Sequence, residues 1–420
     1  MRKIMALIFA ACMLLSTASC QSGSISQESE SDTTTALVPP ETSISAETVA
    51  ETDPETETAT GNETETEPET ESLNEGCTPE NCSMLMLAND DVYAWYSTYF
   101  DRRNRSDYYF KKHQDLYDPN PVTFSWKANE HAESYTLYIS TDEQFPEDKT
   151  QIYPVDTNSL TLSHLFTGTT YYWYVLCTES SASGEETTIY AVHPMQFSTA
   201  ESPRWVKIDG VSNTRDIGGY AAAEGYRVKQ GMVYRGGQLE NITDQGKDYF
   251  LNVLGIKTDF DIRGGGISSS FLGDNVNYVN LSGHYYVSDG VEGINSDEGK
   301  AVVAQAMRVF AEPCNYPIYL HCAIGRDRTG TLAFLLEALL GVMEDDLYVE
   351  YEMFVLSEAG TPPESSLTHL KKCIREVYAY IDSSYPGETF AQKTENYLLD
   401  AGVTAEEIQT IRNLLLEENQ

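Results

Sequence analysis

Between residues 119 and 199 apolar and polar positions alternate with a period of two, and turn-forming residues interrupt the runs every ten or so positions. The runs at 122–126, 135–139, 160–162, 170–175 and 195–198 predict short strands, and many short strands at that spacing predict a β-sandwich over 118–200. Beyond residue 203 the pattern changes. Apolar runs of strand length, at 253–263 and 318–320, alternate with stretches of helical period. Residues 298–311 place Val302, Val303, Ala306, Val309 and Phe310 on one helical face, 345–356 opens another element, and 390–418 reads as helical to the end. Strands alternating with helices predict an α/β domain over 203–420. The chain therefore reads as multidomain, a β-sandwich followed by an α/β domain.

The first 120 residues follow neither period. Met1-Arg2-Lys3 precedes an apolar run at 4–15 that is too short to span a bilayer and reads as an export signal. Its end, Leu15-Ser16-Thr17-Ala18-Ser19-Cys20, resembles a bacterial lipoprotein cleavage site. That resemblance implies a signal peptide over 1–20 and a cell-surface protein anchored to the membrane by lipid on Cys20. Cleavage after Ala18 instead would release a soluble secreted protein. Residues 21–76 hold fifteen acidic side chains and no Lys or Arg, with almost no large apolar group, and predict an extended, disordered tether. In the lead segment 77–117, Cys77 and Cys82 are spaced for a local disulfide in an exported protein, with an unpaired thiol pair as the alternative. Tyr93, Trp95, Tyr96, Tyr99, Phe100, Tyr108, Tyr109 and Phe110 crowd the same segment. They suit packing against the next domain better than a carbohydrate-binding face. The net charge of −38 over 420 residues argues against nucleic acid as a partner.

One stretch runs against that acidity. Residues 317–320 are an apolar strand, His321 and Cys322 open a polar loop, and Arg326-Asp327-Arg328 lead into an apolar-periodic helix from Thr331 to Leu336. Backbone amides of Ala323, Ile324, Gly325 and Arg326 in such a loop can converge on one anion, and the following helix N-terminus adds positive potential. Arg328 would bind two oxygens of a phosphate. The same field favours the thiolate of Cys322, the nucleophilic form. A buried core thiol beside surface charges would explain the cysteine, but not the combination of His321, Cys322, Arg328, Thr329 and Gly330.

His321-Cys322, five residues, then Arg328-Thr329-Gly330 resembles the signature loop of the cysteine-dependent protein tyrosine phosphatases. The core Gly325-Arg326-Asp327-Arg328 is most similar to the atypical bacterial members, which resemble both tyrosine and phosphoinositide phosphatases. Asn213-Thr214-Arg215-Asp216-Ile217-Gly218-Gly219, Tyr234-Arg235-Gly236-Gly237 and Asp259-Phe260-Asp261-Ile262-Arg263 resemble further segments of that family. Arg326 and Ile324 depart from its common residues. Trp126 with Gly168-Thr169-Thr170-Tyr171-Tyr172-Trp173 resembles a fibronectin type III domain.

The phosphatase resemblance implies hydrolysis of phosphomonoesters through a cysteinyl-phosphate, with no metal or other cofactor. It places the general acid at Asp327, with Asp261 second; Asp289 resembles in position the mobile acid of other tyrosine phosphatases. His321 would orient the loop, and the Thr329 hydroxyl would bond the sulfur. Arg326 reads equally as a surface charge at the helix start or as a second positive charge at the pocket mouth, which would extend the substrate range to phosphoinositides and inositol phosphates beside phosphorylated proteins. Cys314 and Cys373 read as core thiols or as resolving partners for an oxidised Cys322. A weakly catalytic phospho-ligand binding lipoprotein is the main competing reading, and a sulfur-transfer enzyme the other. The sequence does not define an oligomeric state.

Overall fold

The computed structural model describes residues 78–80, 121–180, 184, 186–201, 203–286, 291–357 and 364–419. The expectations for 1–20 with Cys20, for 21–76, for Cys77 and Cys82, for the aromatic residues of 91–117 and for Asp289 lie outside the described residues, as does the side chain of Cys373. Among the described residues no helix is long and apolar enough to cross a membrane.

Seven strands come first: β1 (Thr78–Glu80), β2 (Val122–Ser125), β3 (Ala132–Ser140), β4 (Thr150–Val155), β5 (Ser159–Leu162), β6 (Thr170–Ser180) and β7 (Glu186–Ser198). They form two antiparallel sheets, β1-β2-β5 and β4-β3-β6-β7. Period-two alternation decides which side chains meet between them: Tyr135, Leu137 and Ile139 of β3 and Tyr171, Trp173 and Val175 of β6 are buried against Val122 and Phe124 of β2. Phe124 sits edge-on to Trp173 with ring centroids 5.1 Å apart.

The connection to the α/β region is tight. Arg204 is buried and gives every guanidinium nitrogen a partner: Nε donates to the Leu165 carbonyl (3.2 Å), Nη2 to the His164 carbonyl (2.6 Å), and Nη1 to Asp216 Oδ2 (2.7 Å) and the Tyr234 hydroxyl (3.0 Å). Its plane also covers Phe166. Nearby, Gln230 Oε1 accepts from the Thr167 amide and its Nε2 donates to the Thr167 carbonyl. A buried cation thus ties the turn before β6 to the next domain.

That domain has a five-stranded sheet of order β12-β11-β13-β10-β8, from β8 (Arg215–Asp216), β10 (Val233–Gly236), β11 (Thr258–Asp261), β12 (Asn277–Asn280) and β13 (Ile318–His321), parallel except for edge strand β8. A short ribbon pairs β9 (Tyr226–Val228) with β14 (Leu416–Glu418). Val233 and Thr258 both pair with Ile318, so Gly236, Asp261 and His321 end at one level. Open parallel sheets place ligands at that carboxyl edge.

The helices are α1 (Asp244–Asp248), α2 (Val291–Asn295), α3 (Asp297–Phe310), α4 (Asp327–Leu340), α5 (Glu344–Glu352), α6 (Glu364–Ser384), α7 (Phe390–Asp400) and α8 (Ala405–Leu415). Every residue of α4 from Thr329 to Leu340 is buried, because this helix is covered on all sides. The expected strand at 253–263 is shorter than its apolar run: Tyr249–Val253 continues α1 as a π-helical turn, and only Thr258–Asp261 pairs. Gly255, with φ of +67°, reverses the chain between them. Cys314 also differs from expectation. It is exposed and disulfide-bonded rather than a thiol in the core.

Candidate active site

The loop from Cys322 to Arg326 leaves the C-terminal end of β13 and enters α4 directly. Four of its five carbonyls are taken by a donor outside the loop, and a ring nitrogen faces the fifth. His321 Nδ1 lies 3.3 Å from the Cys322 carbonyl, and the Gln238 amide donates to that of Ala323 (3.2 Å). Asn213 Nδ2 donates to those of Ile324 (2.9 Å) and Gly325 (3.2 Å). Arg235 Nη2 donates to Gly325 (2.7 Å) and reaches the Arg326 carbonyl, which the Gly330 amide also holds (2.8 Å).

In a trans peptide the C=O of one residue and the N–H of the next point in opposite directions. Directing these successive carbonyls outward therefore turns the amides of Ala323, Ile324, Gly325, Arg326 and Asp327 the other way. None of those five amides donates to another group among the described residues. Five amides without acceptors among the described residues, at the N-terminus of a 14-residue helix, can serve as a cradle for a tetrahedral oxyanion.

Two glycines make this geometry possible. Gly325 has φ of +68°, and an added Cβ would lie 2.5 Å from the carbonyl carbon of Gly236. Gly330, inside α4, lets Tyr351 and Arg235 close in, since a Cβ there would meet Tyr351 at 2.7 Å and Arg235 Nη2 at 3.1 Å. Gly330 thus supports the loop from behind.

Residues 206–417, about half of the chain, match the model of the tyrosine phosphatase family. The chain belongs to the tyrosine phosphatase family. A protein of Cupriavidus necator named as a tyrosine-protein phosphatase is 30% identical over 167 residues, which cover 34% of this chain and 60% of that relative. Among solved structures, the core catalytic domain of the PP-IP phosphatase SIW14 from S. cerevisiae, in complex with citrate, aligns at 14% identity over 39% of this chain and 96% of that one, with a TM-score of 0.26. P. aeruginosa TpbA aligns at 17% identity over 43% and 96%, with a TM-score of 0.28.

Cys322 is buried at the loop's entrance, and Arg328 lies in the first turn of α4, its Nη1 on the Arg263 carbonyl (3.2 Å) and its plane over Tyr286. Among the described residues no carboxylate pairs with Arg328. Tyr285 is fully buried beside both. Burial, then the neighbouring Cys322, pushes its phenol well above the usual range, so it stays a hydrogen-bond donor and reaches the Arg328 carbonyl (3.4 Å).

His321 is buried against Asp259, Nε2 to Oδ1 at 2.7 Å, and Asp259 in turn accepts from Ser270 Oγ (2.6 Å). The Thr329 hydroxyl is buried and has no hydrogen-bond partner among the described residues, so the expected bond to the sulfur is not formed in this structure.

The two expected acids differ sharply. Asp327 is partly exposed on the first turn of α4, its oxygens 3.1–3.2 Å from Arg326 and 3.4 Å from the Tyr351 hydroxyl. Asp261 is buried and grips Arg263 with both oxygens (2.8 and 2.9 Å), while Tyr278 donates to Oδ2. Burial alone would raise its pKa, but the Arg263 hydrogen bonds and the His321 charge outweigh burial and hold it below the usual carboxylate value. Asp261 is therefore an anchored anion.

Arg326 pairs with Asp327 and stacks on Phe354 at 5.3 Å. Ile324 is exposed at the loop's tip. In the sequence Asn213 and Arg235 are legible only as parts of motifs. Their function as carbonyl clamps depends on strands far apart in the chain.

Proposed function

We propose that the chain is an exported phosphomonoester phosphatase that works through a cysteinyl-phosphate, on phosphotyrosine proteins and on phosphoinositides. The observation that carries the reading is the clamping of the loop's carbonyls by Asn213, Arg235 and Gln238, which leaves the loop amides beside Cys322 and Arg328 without acceptors among the described residues. The amides and Arg328 hold the three non-bridging oxygens of a phosphate monoester. Cys322 thiolate attacks phosphorus; the S–P bond forms as the bond to the leaving oxygen breaks, and Asp327 gives that oxygen its proton. Asp327 then takes a proton from water as the water attacks phosphorus, and the S–P bond breaks to release phosphate and the thiolate. Asp261, held as an anion by Arg263, suits the task of fixing Arg263, whose carbonyl receives Arg328. Arg328 is the cation left for substrate, because Arg326 is already paired. The site thus fits a single phosphate group, carried by a protein or a lipid headgroup.

The Cys314 disulfide supports export to an oxidising compartment. Lipid attachment at Cys20 is part of the same reading. The three-plus-four strand arrangement supports a fibronectin type III assignment for the sandwich. The test is phosphate release in EDTA by the full-length chain and its Cys322→Ser variant, on p-nitrophenyl phosphate, phosphotyrosine peptides and phosphoinositides. Turnover lost in the variant is expected. Absence of turnover in the native protein under reducing conditions, with phosphate binding retained, would replace this reading with that of a binding protein.

A further inference from the structure

Arg215 and Arg235 are both fully buried, and burying two guanidinium groups without compensation is costly. One carboxylate serves both. Glu350 of α5, 1% exposed, accepts from Arg215 Nε through Oε1 at 2.7 Å and from Arg235 Nη1 through Oε2. Its carbonyl also accepts from Arg215 Nη2 (2.9 Å).

These contacts decide how the loop is clamped. With Nη1 on Glu350, Arg235 presents Nη2 to the Gly325 carbonyl. Arg215, held by Glu350, donates from Nη1 to Asn213 Oδ1 at 2.6 Å. That bond fixes the amide of Asn213 with its NH₂ toward Ile324 and Gly325. A second buried carboxyl in the same core, Glu337, has no hydrogen-bond partner on either oxygen among the described residues.

Resting on the proposed function, we propose that Glu350 is a positioning residue for phosphoryl transfer. Through Arg235 on one side and Arg215 with Asn213 on the other, it holds the carbonyls of Ile324 and Gly325 outward and so aims the cradle's amides at the phosphate. It touches neither substrate nor nucleophile.

Three variants of the full-length chain test this: Glu350→Gln, Arg235→Lys and, as a control in the same core, Glu337→Gln. Arg235→Lys keeps the charge but lacks the planar fork whose two nitrogens separately meet Glu350 and the Gly325 carbonyl. The measurements are kcat and KM on p-nitrophenyl phosphate, affinity for tungstate as an unreactive tetrahedral oxyanion, and thermal unfolding. Loss of amide alignment should lower kcat/KM by about 10- to 100-fold and weaken tungstate binding by a similar factor. Glu337→Gln should leave both within threefold.

A merely structural role would reduce folded protein or Tm while leaving kcat per folded molecule and tungstate affinity unchanged, and that result overturns the inference. If Glu350→Gln fails to fold, Arg235→Lys decides: native-like kcat/KM and tungstate affinity refute it. A native protein that neither turns over p-nitrophenyl phosphate nor binds tungstate overturns the phosphatase reading, and this inference with it; normal native turnover with unaffected variants overturns the inference alone.

Discussion

Replacing Gly325 by alanine tests the cradle by moving it. The residue sits at φ of +68°, where a side chain costs about 1–2 kcal/mol. The larger effect is steric. The new Cβ would stand 2.5 Å from the Gly236 carbonyl carbon and 3.0 Å from Asn213 Nδ2, and ordinary contact begins near 3.4 Å. Gly236 belongs to β10, hydrogen-bonded in the sheet beside β13, so the strand cannot yield. The loop must retreat by roughly 1 Å, and a displacement of that size at reacting groups costs on the order of 100-fold in rate.

Gly255→Ala provides the matched control. Its φ of +67° imposes the same backbone strain, but nothing lies within 4 Å of the added Cβ. Both variants should lose about 1–2 kcal/mol in urea unfolding from strain alone, with a further steric loss in Gly325→Ala. Only Gly325→Ala should lose kcat/KM on p-nitrophenyl phosphate, by about two orders of magnitude, with far-ultraviolet circular dichroism unchanged. A folded Gly325→Ala protein within threefold of native kcat/KM would refute the argument that this backbone geometry forms the anion site.

Arg204→Ala should destabilise the chain by about 3–5 kcal/mol, because it leaves the buried Asp216 carboxylate without its cation. Urea unfolding measures this, and a loss under 1 kcal/mol would show that the joint with the sandwich carries little energy. His164, between the Tyr153 hydroxyl and Arg204, has its pKa pushed down to about 4, by burial first and the Arg204 charge second. The unfolded chain then binds a proton as pH falls through about 6.5 while the folded one resists, so stability should drop between pH 6.5 and 4, by about 2 kcal/mol after allowance for partial exposure. Urea midpoints at pH 7.5 and 5 should show the drop, and His164→Gln should flatten it. Asp327→Asn should abolish the basic limb of the kcat–pH profile, whereas Asp261→Asn should lower kcat while keeping that limb; the reverse pattern would make Asp261 the acid.

Much of this protein is local in origin. Period-two alternation produces Tyr135, Leu137 and Ile139 on one face of β3 whatever the strand later pairs with. The contiguous order of strand, cysteine, loop, arginine and helix at 318–340 is likewise present in the chain itself, because the nucleophile, the amides and Arg328 are all near neighbours. Helix and strand ends were less legible: the apolar run at 253–263 carries no period that separates a π-helical turn from a strand, and Gly255 is the sole mark of the change.

What the sequence could not decide is everything that depends on partners distant in the chain. Arg326 is a second phosphate ligand or a paired surface charge depending on whether Asp327 and Phe354 reach it. Asp261 and Asp327 are chemically identical carboxyls, and burial with Arg263 makes an anchored anion of one while the first turn of α4 leaves the other partly exposed. The outward clamp on the loop joins residues 213, 215, 235, 325 and 350, with bonded partners as far as 135 positions apart. Side-chain type supplies the donors and charges, but only packing settles which carbonyl a guanidinium meets, and therefore where five backbone amides point.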